Sequence, residues 1–183
     1  MKKNEVNIYT DGACSGNQSS NNFGGWGAIL EYGQHKKEVF GGEVNTTNNR
    51  MELTALAEAL DILNRDGLNI NVYSDSSYLI RCMKEKWYEN WKRNGWKNAA
   101  KNPVENKDLW ERIIHHLPRQ TFDFYHVKGH VNLNNKNTDI KKLYNKFLAK
   151  NGNSFSEDEF LYITEMNNRA DELANEGVDS VRS

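Results

Sequence analysis

The sequence has 183 residues, the span of one ordinary domain, with 37 % hydrophobic and 27 % charged residues and five tryptophans, a composition that excludes wholesale disorder. No run approaches the roughly 18 apolar residues of a membrane span, no apolar leader follows Lys2 and Lys3, and two cysteines, Cys14 and Cys82, are too few for a disulfide framework, so a cytoplasmic protein without a membrane partner is expected. The net charge of −1 is unevenly spread: residues 84–107 and 132–152 each carry four surplus positive charges, while residues 153–183 carry six surplus negative ones.

Residues 6–10 alternate apolar and polar side chains as a half-buried strand does, and run into a turn-like stretch over 11–17. Residues 25–32 and 37–44 read as two further strands around Gly33, making an antiparallel meander. Thr46 and Thr47 offer N-caps to a helix with Leu53, Leu56, Ala57, Leu60 and Leu63 on one face, expected to stop near Gly67. A short strand over 70–74 ends at Asp75, a helix follows from Ser76 to Met83, and the tryptophan-rich segment 87–97 has further helical character. Residues 108–116 form a helix closed by Pro118, and 121–127 alternate as a last strand.

Beyond it, an Asn-rich loop over 132–137 leads to a helix capped by Thr138, with Ile140, Leu143, Phe147 and Leu148 on one face and Gly152 at its end. Ser156 and Glu159 make a capping-box pattern ahead of a long helix reaching about Gly177. The order β-β-β-α-β-α-α-β-α is mixed α/β. The reading is a single domain over 1–183, with a basic protrusion at 84–107 and an inserted helical segment at 131–166, too short to build its own core.

Four carboxylates stand where folding does not require them. Asp11 and Asp75 end strands, Glu52 lies in the first turns of a helix and Asp171 sits inside the last helix. If the two strands are neighbours, Asp11 and Asp75 emerge at the same sheet edge, where Glu52 and Asp171 can converge on them. Carboxylates so clustered repel one another unless a cation joins them, and hard oxygen ligands select Mg²⁺ or Mn²⁺. Divalent ions held this way suit in-line phosphodiester hydrolysis. Taken singly, each of these acids reads equally well as a cap or a solvated residue, and periodicity alone does not make them converge.

Six motifs, in order, carry a resemblance: Tyr-Thr-Asp-Gly-Ala-Cys-Ser-Gly-Asn (9–17), Thr-Thr-Asn-Asn-Arg-Met-Glu-Leu (46–53), Tyr-Ser-Asp-Ser (73–76), Gly-Trp-Lys (95–97), Val-Lys-Gly-His (127–130) and Asn-Arg-Ala-Asp-Glu-Leu-Ala (168–174). Nearly the whole chain thereby resembles type 1 ribonuclease H. The resemblance implies a ribonuclease H-like α/β fold, a mixed five-stranded sheet of three antiparallel strands then two parallel ones, flanked by helices. It implies a monomeric endonuclease, with no obligate protein partner, that cuts the RNA strand of an RNA/DNA hybrid and leaves 3′-hydroxyl and 5′-phosphate ends. Two Mg²⁺ ions, replaceable by Mn²⁺, would sit on Asp11, Glu52, Asp75 and Asp171, with His130 handling a proton beside the scissile phosphate.

The same resemblance places Cys14, Asn17, Asn48 and Glu52 near the minor groove, where the 2′-hydroxyl distinguishes RNA from DNA. Asn48 and Asn49 also suit the cap of a helix, and 26 asparagines in the chain make any one of them weakly informative. Thr47 and Asn106 match parts of a DNA-phosphate pocket. Trp87, Trp91, Lys92, Trp96 and Lys97 fall in a segment resembling the family's basic protrusion, although tryptophans four residues apart equally suit core packing. Three features depart from the family pattern: Asn45 replaces a frequent arginine, Ser77 replaces a frequent glutamine, and His130 lies 41 positions before Asp171. In that long connection Lys141, Lys142, Lys146 and Lys150 suit either a solvated helix face or an added phosphate surface. The alternatives in function are a non-catalytic hybrid-binding module and the ribonuclease H domain of a reverse transcriptase.

Overall fold

The computed structural model describes residues 4–16 and 21–182. Its centre is β1 (Glu5–Ser15), flanked on one side by antiparallel β2 (Phe23–Tyr32) and β3 (His35–Val44), and on the other by parallel β4 (Asn69–Ser74) and β5 (Thr121–His126). The sheet order is β3-β2-β1-β4-β5, three antiparallel strands and then two parallel ones, as expected. The parallel registers pair Thr10 with Ser74 and Ser74 with His126, so Asp11, still within β1, stands level with Asp75 and Val127, which follow the ends of β4 and β5.

Strand alternation distributes two cores. Val6, Ile8, Ile70 and Val72 face a cluster closed by α1 (Asn48–Ile62), α2 (Ser77–Lys84), α3 (Trp87–Arg93) and α4 (Lys107–Ile114). Tyr9, Ile29 and Tyr73 face the other side, against α5 (Ile140–Asn151) and α6 (Glu157–Val181), through Phe147, Phe160, Ile163 and Leu173. Both sheet faces are therefore covered, and among the described residues no helix is long and apolar enough to cross a membrane.

Several boundaries differ from the sequence expectation, each for a local reason. β1 does not turn at Asp11 but continues to Ser15, because β2 supplies partners throughout, Gly27 opposite Asp11 and Gly24 opposite Cys14. α1 stops at Ile62, where Leu63 takes an extended conformation and packs on the core; Gly67, at φ +76°, then turns the chain toward β4. α3 ends at Arg93 ahead of Gly95 and Trp96, both at positive φ. α4 ends at Ile114, two residues short of the expected end, before Pro118.

Thr138 does not cap α5. Asp139 does, accepting the Lys142 N–H at 3.1 Å, while the Thr138 hydroxyl donates to the Asn132 carbonyl at 2.7 Å. α6 begins with the expected Ser156–Glu159 capping box but runs beyond Gly177 to Val181. Gly177 is a seating position: a Cβ there would lie 2.0 Å from the Gly41 carbonyl oxygen, and one on Gly25 would lie 2.0 Å from that of Ala174. Helix and sheet thus touch backbone to backbone.

α5 also finishes the sheet. β5 is an edge strand, and the Asn151 side chain accepts the His126 N–H at 2.9 Å and donates to the His126 carbonyl at 2.8 Å, satisfying both backbone groups.

Candidate active site

The site is built from the middle of β1, the end of β4 and the first turns of α1. Thr47 caps α1, its hydroxyl oxygen accepting the Arg50 N–H at 3.1 Å. That start puts Glu52 on the helix face turned to β1, so close that a Cβ on Gly12 would lie 2.6 Å from the Glu52 nitrogen. Asp11, Glu52 and Asp75 each bring a carboxylate oxygen within 4.8 Å of the others. Asp11 is 2 % and Glu52 5 % exposed. Gly12 N–H donates to Asp11 Oδ1 at 2.9 Å, but the buried Asp11 Oδ2 and Glu52 Oε2 have no hydrogen-bond partner.

Three acids in that space cannot all ionise without a counter-charge. Burial, and then the Asp75 charge, push the Asp11 carboxyl far above its ordinary range; burial and Asp11 do the same to Glu52, and burial raises Asp75. A divalent cation reverses each of these penalties, and hard carboxylate oxygens are its natural ligands. The residues present therefore fit such an ion. Because these three acids keep their protons longer in the fold than in the unfolded chain, their contribution to metal-free stability is greatest below the ordinary carboxylate range and falls as pH rises through it toward neutrality. The melting temperature in chelator is expected to drop between about pH 5 and about pH 8, and Mg²⁺ to restore most of that loss. A flat profile in chelator would contradict this electrostatic picture.

Asp171 is not one of that set of three; it stands beside His130. His130 Nδ1 lies 3.7 Å from Asp171 Oδ2, and the histidine side chain is 77 % exposed, open to a bound substrate. The 41-residue connection does not separate them, because the Asn168 amide on α6 donates to the Val131 carbonyl at 2.8 Å and ties the loop beside Asp171. The charge of Asp171 is felt at both Asp11 and Asp75.

A cleft of about 400 Å³ opens over these groups, lined by Asp11, Glu52, Asp75 and His130 together with Asn48 and Asn49. Cys14 is exposed on β1, its thiol 3.8 Å from the Thr46 carbonyl. Asn17 lies outside the described residues. Asn106 adopts φ +62° before α4, and its Oδ1 accepts from Arg50, whose backbone N–H donates to the exposed Thr47 hydroxyl. Arg50 is itself held by Asp108 and Glu43, so its charge is largely compensated.

Trp87, Trp91 and Trp96 are half-buried and pack on the core, Trp91 against Trp110 at 5.5 Å between ring centres. The solvent side of that segment carries Lys92 and Lys97, with Lys86, Arg93 and Lys101. The tryptophans thus form the base, and the cations the outer surface.

Three residues near the carboxylates escape sequence reasoning. Asn167, 1 % exposed and one helical turn before Asp171, turns its amide toward Asp75 and favours the ionised carboxylate, yet neither amide atom closes a hydrogen bond of ordinary geometry. His126 donates from Nε2 to the Asp75 carbonyl at 3.2 Å. Gly129 passes so near that a Cβ there would meet Asp75 Oδ2 at 2.3 Å. Gly129→Ala is therefore expected to displace the Asp75 carboxylate and cut the cleavage rate by about tenfold to a hundredfold with little change in melting temperature. An unchanged rate would show that Asp75 has room to yield. Asn167 stands four residues before Asp171, and among 26 asparagines that spacing carries no signal.

Fold and carboxylate cluster together define a metal-dependent nuclease, and comparison with known proteins agrees. The RNase H family model matches residues 3–147, and the chain belongs to the ribonuclease H family. A ribonuclease H of Clostridium botulinum is 42 % identical over 179 residues, spanning 98 % of this chain and 97 % of the relative. One of Syntrophomonas wolfei is 52 % identical over 126 residues, 69 % of this chain and 84 % of its own. Among solved structures, LC9-RNase H1, a type 1 RNase H with the type 2 active-site motif, superposes with a TM-score of 0.71 at 23 % identity, covering 97 % of this chain and 74 % of that one. LC11-RNase H1, solved in complex with an RNA/DNA hybrid, gives 0.51 at 22 % identity over 97 % and 99 % of the two chains. These likenesses are of fold.

Proposed function

We propose that the protein hydrolyses the RNA strand of RNA/DNA hybrids at Asp11, Glu52, Asp75 and Asp171, using two Mg²⁺ ions for which Mn²⁺ can substitute, and leaves 3′-hydroxyl and 5′-phosphate ends. The observation that carries this reading is the convergence of Asp11, Glu52 and Asp75 oxygens within 4.8 Å, with buried Asp11 Oδ2 and Glu52 Oε2 unpartnered, in a chain of this family. When bound, the ions polarise the phosphoryl group and make water a competent nucleophile.

The chain's own groups divide the remaining work. Asp11, fixed at Oδ1 by the Gly12 N–H, turns its free oxygen toward Glu52 and Asp75, and the three together hold positive charge where the scissile phosphate must sit. Asp171 orients the His130 imidazole, which takes a proton from the attacking water or gives one to the departing 3′ oxygen. Asn48 and Asn49 on the cleft wall donate to sugar hydroxyls or base edges in the minor groove, with Cys14 and Asn17 further along it. Thr47 and Asn106 donate to a DNA phosphate, and Lys92 and Lys97, raised on the Trp87, Trp91 and Trp96 base, neutralise others. The protein works as a monomer in the cytoplasm, where the free thiols of Cys14 and Cys82 persist.

An assay with labelled RNA/DNA, RNA/RNA and DNA/DNA duplexes, each in Mg²⁺ and in Mn²⁺, tests the reading. Cleavage confined to the RNA of the hybrid supports it; equal attack on all three duplexes contradicts it.

A further inference from the structure

A second cluster of cationic groups lies outside the cleft just described. At the end of β5, between α5 and α6, a cavity of about 50 Å³ has Val131, Phe147 and Phe160 on its floor and Lys128, Lys146, Lys150 and His126 around it. By that measure it has room for a few waters or one oxyanion. No acidic side chain lines it, and among the described residues none of the three lysines enters an ion pair. Lys128, in the loop after β5, and Lys146 and Lys150, one turn apart on α5, are exposed and border the same hollow, an arrangement of like charges that an anion relieves.

The hollow is joined to the catalytic edge. Lys150 Nζ lies 3.5 Å from His126 Nδ1, and His126 Nε2 donates to the Asp75 carbonyl at 3.2 Å, so one imidazole separates the rim from the residue that carries the carboxylate. Lys128 stands two residues before His130. The rim thus lies next to the sheet edge that carries Asp75. The groups assigned to the DNA strand, Thr47, Asn106, Lys92 and Lys97, belong to the elements on the other face of the sheet. A duplex laid across the sheet edge presents one strand to each face.

We propose that Lys128, with Lys146 and Lys150 of the 131–166 segment, forms a second phosphate site that grips the backbone of the cleaved RNA strand beside the active site. The proposal rests on the hybrid-nuclease reading above. It gives the basic character of α5 a purpose: the helix lengthens the footprint on the strand being cut, an effect expressed in substrate affinity and its salt dependence rather than in the chemical step.

The test uses the full chain with Lys146→Ala and Lys150→Ala combined, and the corresponding double arginine variant. Hybrid binding is measured in chelator by fluorescence anisotropy across a salt series, and cleavage in Mg²⁺ by initial rates. The alanine pair is expected to weaken binding on the order of tenfold, to flatten the plot of log K against log salt by about 1 to 2 units, and to raise KM with kcat unchanged, while the arginine pair restores binding. Identical affinity and slope in the alanine pair would overturn the site. So would a loss that disappears when the DNA strand alone is made with neutral methylphosphonate linkages, since the phosphate gripped would then belong to the uncut strand. Failure of the wild-type chain to cleave any hybrid would instead strike at the underlying activity, so the two failures are distinct.

Discussion

Asp11→Asn is expected to lower hybrid cleavage by about a thousandfold or more and, at the same time, to stabilise the metal-free protein. The two effects have one cause. Asp11 is the most buried of the converging acids, and its unpartnered Oδ2 adds negative charge to a space already holding Glu52 and Asp75. Removing a group that positions catalytic cations forfeits several kcal/mol of transition-state stabilisation, and about 4 kcal/mol is a thousandfold in rate. Asparagine keeps the acceptor for the Gly12 N–H and replaces the second oxygen by a donor facing the other acids. Relief of repulsion at this spacing is worth about 2 kcal/mol at neutral pH, read as a higher midpoint of denaturation in chelator. Mg²⁺ should then stabilise the wild type more than the variant. A variant that lost activity and stability together would point to a structural acid instead.

The largest expected effect on folding comes from Gly177→Ala. In an ordinary helix interior this change stabilises by about 1 kcal/mol. Here the added methyl would stand 2.0 Å from the Gly41 carbonyl oxygen and 2.9 Å from its carbon, both backbone atoms of β3 with no side chain to swing aside. α6 must lift off the sheet or bend, at a cost of about 3 kcal/mol or more, toward the upper end for overpacked sites. Urea denaturation reads that loss directly. Because Asp171 rides on the same helix six residues earlier, the cleavage rate should fall with it. A gain in stability would mean that the helix stands farther from β3 than described.

What could be read from the chain, and what could not, divides along physical lines. Strand alternation and the caps at Thr47 and Ser156 are local signals, and the elements they mark begin where expected. The meeting of Asp11 with Asp75 is not local: it depends on β1 and β4 being parallel neighbours in register, which periodicity cannot supply and the family motifs did. Thr138 and Asp139 are both competent caps, and only the demand of the Asn132 carbonyl for a donor decides between them. Gly177 looks like a helix stop because glycine usually marks one; its actual reason, the approach of Gly41, comes from a strand far away in sequence. Asn167 and the lysine-rimmed cavity depend on packing between α5, α6 and β5, and no pattern within a single element encodes that arrangement.

The central claim is that clustered carboxylates and divalent ions cut the RNA strand with water as the nucleophile. Analysis of the product ends from a hybrid cleaved in Mg²⁺, beside a reaction in chelator, tests it most directly. The account predicts 3′-hydroxyl and 5′-phosphate termini on RNA fragments in Mg²⁺ and no cleavage in chelator. RNA fragments bearing 2′,3′-cyclic phosphates, formed equally well in chelator, would place the attack on the ribose 2′-hydroxyl and contradict it.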